Sequence, residues 1–220
     1  MRRAIFAILA AFFAIMAPPP AKAQLGSMSQ SEIGVGLREA LKLGAKRTVA
    51  QLGKADGYNA DPSIHIPLPS ALAKTRNVLN LAGAGRLLDD LELKMNRAAE
   101  KAAPKAFDIF ADAISSMNFD DAKAIASGSQ DAATQYLKRT TTKSLMEAFR
   151  PIVESSLNEV GAVQSYNGVT RRVPVAGFSL TDFALEKSLD GLFHYIAQEE
   201  SAIRSNPAAR STNLLKKIFG

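Results

Sequence analysis

A stripe of four polar side chains has the spacing that acid–base or metal chemistry would need. Glu186, Asp190, His194 and Gln198 follow one another at intervals of four residues, so on a helix they share one face. A carboxylate beside an imidazole orients the ring and raises its basicity, as a general base or a metal-bound histidine requires. Asp190 would orient His194, and Glu186 would add an oxygen ligand. The stripe predicts either a metal-assisted hydrolase site or a solvent-facing polar surface, and the second is the commoner reason for such a pattern.

A second group of polar residues has the spacing of a network between helices. Asn96 and Glu100 lie one helical turn apart with Arg97 between them, and Asp131 and Arg139 follow in the next part of the chain. Pairs of arginine and carboxylate give strong bidentate bonds, and a satisfied buried network fixes one packing arrangement. We expect these five residues to tie helices together. The alternative is a binding site for a polar head group.

The composition excludes several classes of site. The 220 residues include no Cys and two His, so disulfides, thiolate ligands and cysteine nucleophiles are excluded, and a centre of several histidines is not expected. The sequence has no Gly-x-Ser-x-Gly elbow, no Gly-x-x-x-x-Gly-Lys phosphate loop and no His-Glu-x-x-His helix. We therefore expect no cofactor, no bound metal and no catalytic residue, and the sequence favours a non-enzymatic role without deciding it.

The first 23 residues have the pattern of a secretory signal peptide. Arg2 and Arg3 precede an apolar run over residues 4–17, and Ala21-Lys22-Ala23 is a small-x-small cleavage pattern. A membrane anchor is the alternative, but the run is shorter than the roughly 20 residues that a spanning helix needs. We predict an exported, periplasmic protein that is cleaved after Ala23, with residues 24–220 forming one helical domain.

Cleavage would change the charge balance and therefore the expected partners. The chain has 27 basic and 21 acidic side chains, and residues 1–23 hold three of the basic ones and none of the acidic ones. The remaining net charge of +3 does not argue for nucleic acid. Helical bundles bind ligands between their helices, and this chain is rich in small Ala and Gly. We expect the partner to be an envelope protein or an apolar small molecule, and a purely structural role is the alternative.

The elements that would position these residues are helices, because apolar residues recur at spacings of three and four through most of the chain. The sequence predicts an all-α bundle of several helices with one extended segment. We expect Pro151 to kink a helix or to mark its start. We expect Asn167-Gly168 to end that helix, and a hairpin turn is the alternative. Helix starts are indicated by residues that can cap the first turn: Ser29 with Glu32, Ser70, Asn118 with Asp121, Ser127 with Gln130, Thr140–Thr142, and Ser179 with Asp182.

The extended segment is predicted over Asp61–Pro69, where three prolines disfavour helix. In an extended chain Ile64, Ile66 and Leu68 point the same way. We interpret the segment as an apolar strap laid across the helices. The alternative is an edge that binds a ligand or a partner.

The C-terminal segment from 202 to 220 is basic and has no acidic residue. Lys216 and Lys217 lie beside Leu214, Leu215, Ile218 and Phe219, so a short helix here would be amphipathic. We expect it to dock on the bundle, because so short a tail has little apolar area to hold a membrane by itself. Binding to an anionic membrane surface is the alternative.

Short strings of residues resemble one known family. After Ile66–Pro69 the chain contains, in order, Asn96–Glu100, Asp131–Tyr136, Leu189–Phe193 and Asn206–Arg210. Their number and order are similar to an exported bacterial family known only as domain-of-unknown-function family 4197, over about Ser29 to Gly220. The resemblance implies a bacterial, envelope-facing, helical protein. The family has no assigned activity, so the resemblance implies no catalytic residue.

Overall fold

The computed structural model describes residues 30–81, 85–159 and 179–205, and within them the fold is all-α, as predicted, with no β-strand. The predicted signal peptide, the predicted cap residue Ser29, the predicted helix end at Asn167-Gly168 and the basic residues after Ser205 lie outside the described residues. In chain order the helices are α1 (Gln30–Leu52), α2 (Ser70–Ala73), α3 (Arg76–Leu81), α4 (Gly85–Ala102), a 3-10 turn (Ala103–Lys105), α5 (Ala106–Ser115), α6 (Phe119–Ser127), α7 (Ala132–Glu159) and α8 (Leu180–Ser205).

The two longest of these helices, α7 and α8, pack against each other. Helix α4 packs against α7, and α1 packs against α8, α5 and α6. The rings of Phe110 and Phe193 meet edge to face with centroids 6.0 Å apart, a favourable geometry for aromatic pairs. Small residues are fully buried where α4, the 3-10 turn and α5 follow one another: Ala98, Ala99, Ala102, Ala103 and Ala106.

Helix α7 is one continuous helix, so the predicted helix start at Thr140–Thr142 is wrong. The three threonine hydroxyls each donate to the carbonyl four residues earlier in the helix: Thr140 to Tyr136 O, Thr141 to Leu137 O and Thr142 to Lys138 O. Pro151 also lies inside α7 and does not mark its start. The helix tolerates these poor formers because one side of it is buried along its length, which overrides intrinsic propensity.

Two of the predicted helix caps are present. Asn118 and Asp121 form a reciprocal capping box at the start of α6, with 2.8 Å between Asp121 N and Asn118 Oδ1. At the start of α8, Asp182 N donates to Ser179 Oγ at 3.1 Å. Both caps are local in sequence, which is why spacing alone predicted them.

Two other predicted caps are wrong. Ser127 is the last residue of α6 and its hydroxyl donates to Lys123 O, four residues earlier, so it does not cap the following helix. Ser70 is the first residue of α2, and the residue before it, Pro69, offers no side-chain acceptor. The helix predicted from Ser70 onward is instead the short helix α2 followed by the separate helix α3.

Residues 53–69, which we call the anchored loop, connect α1 to α2. The segment predicted to be an extended strap contains a turn at residues 62–64, because Ile64 N and His65 N both donate to Asp61 O. Ile64, Ile66 and Leu68 are buried in the common core. The loop therefore contributes to the core by burying one apolar edge.

Candidate functional site

A polar cluster lies where the anchored loop meets α4, and Asn96 is completely buried within it. Ile66 N donates to Asn96 Oδ1 at 2.9 Å, and Asn96 Nδ2 donates to Ile66 O at 2.9 Å. The side chain thus pairs with both backbone groups of one loop residue, as a neighbouring strand would. A third bond, from Nδ2 to Glu92 O, is 2.8 Å long. All of these bonds lie within the protein, so Asn96 positions the loop.

Glu100 holds the start of the same loop. It is 4% exposed, and its Oε1 accepts from Tyr58 N at 3.2 Å and from Asn59 N at 3.0 Å. Its other oxygen accepts from Arg97 Nη1 at 2.7 Å, and Arg97 also donates to Asp56 at 2.8 Å. Hydrogen bonds from Asn59 and Arg97 hold the pKa of the Asp56 carboxyl below its usual range. Both oxygens of the buried Glu100 carboxylate therefore accept hydrogen bonds, one from two backbone amides and the other from a guanidinium.

Tyr58 attaches the loop to α8. Its ring is completely buried, its hydroxyl donates to Ser188 O at 2.7 Å, and burial raises the pKa of the phenol far above its usual value. The ring lies directly on the backbone of Gly191, where an added Cβ would come within 2.6 Å of a ring carbon. Only glycine permits this contact.

A second contact with α8 is formed by Asp61 and Tyr195. The Tyr195 hydroxyl donates to Asp61 Oδ2, and Ser63 N donates to Asp61 Oδ1 at 2.9 Å. The bond from Tyr195 is the main reason that the pKa of Asp61 is lowered, and the same bond is the main reason that the pKa of Tyr195 is raised. The pair therefore stays a phenol bonded to a carboxylate around neutral pH.

The stripe predicted on α8 is solvent-facing: Glu186, Asp190, His194 and Gln198 are all exposed. Asp190 accepts from Lys187 Nζ at 3.1 Å, and His194 Nε2 lies 2.8 Å from Gln198 Nε2. The structure thus does not bring Asp190 and His194 into the pair that a general base would need. Across the described ranges, no three His, Asp or Glu side chains are close enough together to hold a metal ion.

The five-residue network predicted between helices is divided in two. Asn96, Arg97 and Glu100 lie together at the anchored loop, as described above. Asp131 instead accepts from Ser129 Oγ at 2.7 Å and from Gln135 at 3.0 Å near the start of α7. The guanidinium of Arg139 lies over the ring of Tyr136 at 5.7 Å.

Glu200 has a central role that its sequence pattern did not reveal. It is 5% exposed and lies against the start of α7, where its two oxygens accept from Ala133 N at 2.9 Å and Thr134 N at 2.8 Å. Arg204, one turn later on α8, donates to the same carboxylate through Nε at 3.0 Å. Glu200 thus caps α7 from another helix, by satisfying first-turn amides that have no partner within their own helix.

Two concave spaces lie along α7. Between α1, α7 and α8 a cavity of about 10 Å³ remains, which is no more than a single water needs. A solvent-open groove of about 680 Å³, which we call the α7 groove, follows the outer side of α7. Its described lining residues are Arg139, Thr142, Lys143, Met146, Glu147, Arg150, Pro151 and Glu154.

One comparison with known proteins gives a match. A family model described as a protein of unknown function (DUF4197) matches residues 27–220. No curated protein and no solved structure matches the chain. None of the described helices is long and apolar enough to cross a bilayer. The matched range contains every described helix, and so it contains the anchored loop, the capping carboxylate Glu200 and the α7 groove.

Proposed function

The chain belongs to the family described as a protein of unknown function (DUF4197), and from its geometry we propose that it is an exported, non-catalytic protein that binds an envelope protein through the α7 groove. The observation that carries the proposal is the groove itself, which has a volume of about 680 Å³. It lies on the exposed side of α7, and the opposite side of this helix is buried in the core. The predicted signal peptide supports the envelope as the location.

The use of the buried carboxylates supports a non-catalytic role. Catalytic acids and bases need a carboxylate that can exchange a proton with a substrate. Glu100 and Glu200 are the buried acidic side chains of the described core, and backbone amides and arginines occupy both oxygens of each. Their chemistry is used to hold loops and helix ends in place.

The charges of the α7 groove support a protein partner. Arg150 is held by Asp182 at 2.7 Å and by Glu154 at 3.7 Å. Lys143 and Glu147 are exposed and make no salt bridge to another described residue. A surface that presents both signs of charge beside the half-buried Met146 offers polar contacts around an apolar centre, as protein interfaces do.

The interior gives less support to the alternative of an apolar small molecule. Pockets for such ligands usually measure about 300–1,000 Å³. The cavity between α1, α7 and α8 encloses about 10 Å³. The small residues that suggested internal space instead allow close contact, as Gly191 does beneath the Tyr58 ring.

Charge reversal in the groove tests the proposal. The full chain carrying Lys143→Glu is compared with the wild type and with Lys123→Glu, which makes the same change on the exposed side of α6. Cross-linking in the envelope fraction, followed by mass spectrometry, should give one defined complex for the wild type and for Lys123→Glu. We expect Lys143→Glu to lose most of that complex while its melting temperature stays within about 2 °C of the wild type.

Equal yields of the complex from the wild type, Lys143→Glu and Lys123→Glu would show that the partner binds outside the α7 groove. If no variant gives a complex, the purely structural role takes the place of the binding role. The melting temperature separates loss of binding from loss of folding.

A further inference from the structure

The helix face in the α7 groove divides its charges between its two halves. All of the described residues that line the groove belong to α7, so the groove presents the face of a single helix. Arg139 and Lys143 lie towards its N-terminal end, and Glu147 and Glu154 lie towards its C-terminal end. Arg150 lies between the two glutamates, and a salt bridge of 2.7 Å to α8 already neutralises it. The face is therefore cationic at one end and acidic at the other.

We propose that the envelope protein that binds in the α7 groove is a second copy of this chain, with the two α7 helices antiparallel; this inference rests on the function proposed above. A surface that complements the face carries its charges in the reversed order. Helix α7 turned end to end is such a surface, because a twofold axis places the same patch of two copies face to face. The charge pattern thus complements itself.

One register of the two helices opposes unlike charges. In an antiparallel pair, residues equally far on either side of the twofold axis face each other. With the axis between residues 148 and 149, Lys143 faces Glu154 of the partner subunit. In the same register Glu147 faces Arg150 of the partner subunit. The twofold axis repeats each of these contacts, so the interface contains four pairs of opposite charge.

Met146 gives this register an apolar contact near the axis. It is half-buried and lies within three residues of the axis, so the methionines of the two copies lie on the same side of the helix pair. Packed helices have their axes about 8–10 Å apart, and the unbranched thioether of methionine fills irregular gaps at such contacts. The charges around this apolar centre select the partner and the register.

Sedimentation equilibrium of the protein purified from the envelope fraction tests the proposal at low salt. At about 100 µM protein, a dissociation constant of about 10 µM leaves most chains in dimers. We expect Lys143→Glu and Glu154→Lys each to weaken the dimer about a hundredfold and to sediment mainly as monomers, because each brings like charges together twice. An equimolar mixture of the two variants should regain the dimer, since opposite charges then meet at both positions. This recovery also shows that both variants are folded.

Lys123→Glu, on the exposed side of α6, is the matched control and should form the dimer as the wild type does. A wild type that sediments as a monomer, or variants that stay monomeric when mixed, overturns the second copy as the partner. A dimer that persists in both single variants also overturns it, because the copies then pair elsewhere. In each case the cross-linking experiment above tests the groove separately. If Lys143→Glu still loses its envelope complex, the proposed function stands and the groove binds a different protein.

Discussion

At the scale of single residues, three buried polar side chains of the described core, Asn96, Glu100 and Glu200, bind backbone groups that lack a partner within a helix. Asn96 pairs with both backbone groups of Ile66, and Glu100 accepts from two amides of the anchored loop. An unpaired buried amide costs about 1–3 kcal/mol, so these side chains allow an irregular loop to lie against the core. Asn96 and Glu100 thus hold the anchored loop against the core.

The sequence predicted the side chains that form these contacts but not the backbone groups that they bind. The spacing of Asn96, Arg97 and Glu100 indicated a polar group on one helix, and the three side chains do lie together. Their partners Tyr58 and Ile66 contribute backbone atoms, and any residue type other than proline offers the same N–H donor and C=O acceptor. No pattern of side chains could therefore have indicated which loop the group would hold.

Tyr195→Phe should raise the pKa of Asp61 towards its ordinary value, because the hydrogen bond from Tyr195 is the largest cause of its lowering. A lowered pKa means that this contact stabilises the fold above the ordinary titration range of aspartate. The stabilisation is lost as the pH falls through the lowered value. A carboxyl-carbon NMR titration of both proteins measures the shift. An Asp61 titration that is the same in both would contradict the assignment of the hydrogen bond.

At the scale of elements, the sequence predicted helix caps that act within one turn better than contacts between distant parts of the chain. Capping by Asn118 and by Ser179 acts within one turn, and both caps were predicted correctly. Helix α7 was predicted as two helices, because Thr140–Thr142 are poor helix formers in isolation. Burial of α7 between α4, α5 and α8 outweighs that preference, and burial depends on contacts that the local sequence does not contain.

The cap on α7 is the clearest case of such a long-range contact. Glu200 lies 66 residues from Thr134 along the chain, and its backbone partners again leave no pattern of side chains. One signal was available: Glu200 and Arg204 are one turn apart on the side of α8 that carries Ile196 and Ile203, which is the buried side. A charged pair on an apolar helix face indicates a partner inside the fold.

Glu200→Gln should destabilise the protein by about 3 kcal/mol, because it removes the buried charge that holds Arg204 and two amides of α7. Glu199→Gln is the matched control. It makes the same chemical change one residue earlier, where the carboxylate forms an exposed 3.4 Å contact with Arg47, and it should cost no more than about 1 kcal/mol. Urea unfolding gives both values. Equal losses would show that the cap contributes no more than a surface pair.

At the scale of the whole molecule, the anchored loop and the described helices other than α3 contribute to one continuous core. Helical periodicity predicted an all-α bundle, because the apolar face of every long helix has to be buried against another element. Close contacts at small residues decide how tightly the elements meet, and they depend on three-dimensional positions that spacing does not give. Gly191 of α8 beneath the Tyr58 ring of the anchored loop is such a contact, joining residues more than a hundred positions apart.

The contacts at the end of α8 would remain in a protein that lacks the basic C-terminal segment. Ile203 is buried in a small cluster with Ala40 of α1, and Arg204 Nη2 donates to Ile125 O at the end of α6. A chain that ends after Asn206 keeps both contacts, so its last described helix stays attached. Any loss of stability in that truncated protein therefore comes from the segment removed, 207–220, and the truncation isolates that segment.

We expect the segment to dock on the bundle. Truncation after Asn206 should then lower the melting temperature by about 5 °C, as a loss of about 2 kcal/mol would in a chain of this size. Binding to vesicles with anionic lipid should be unchanged at low salt, because a docked apolar face cannot also enter a bilayer. Thermal unfolding and vesicle co-sedimentation of both chains give the two values. An unchanged melting temperature together with loss of vesicle binding would show that the lysines and apolar residues of this segment serve a membrane surface instead.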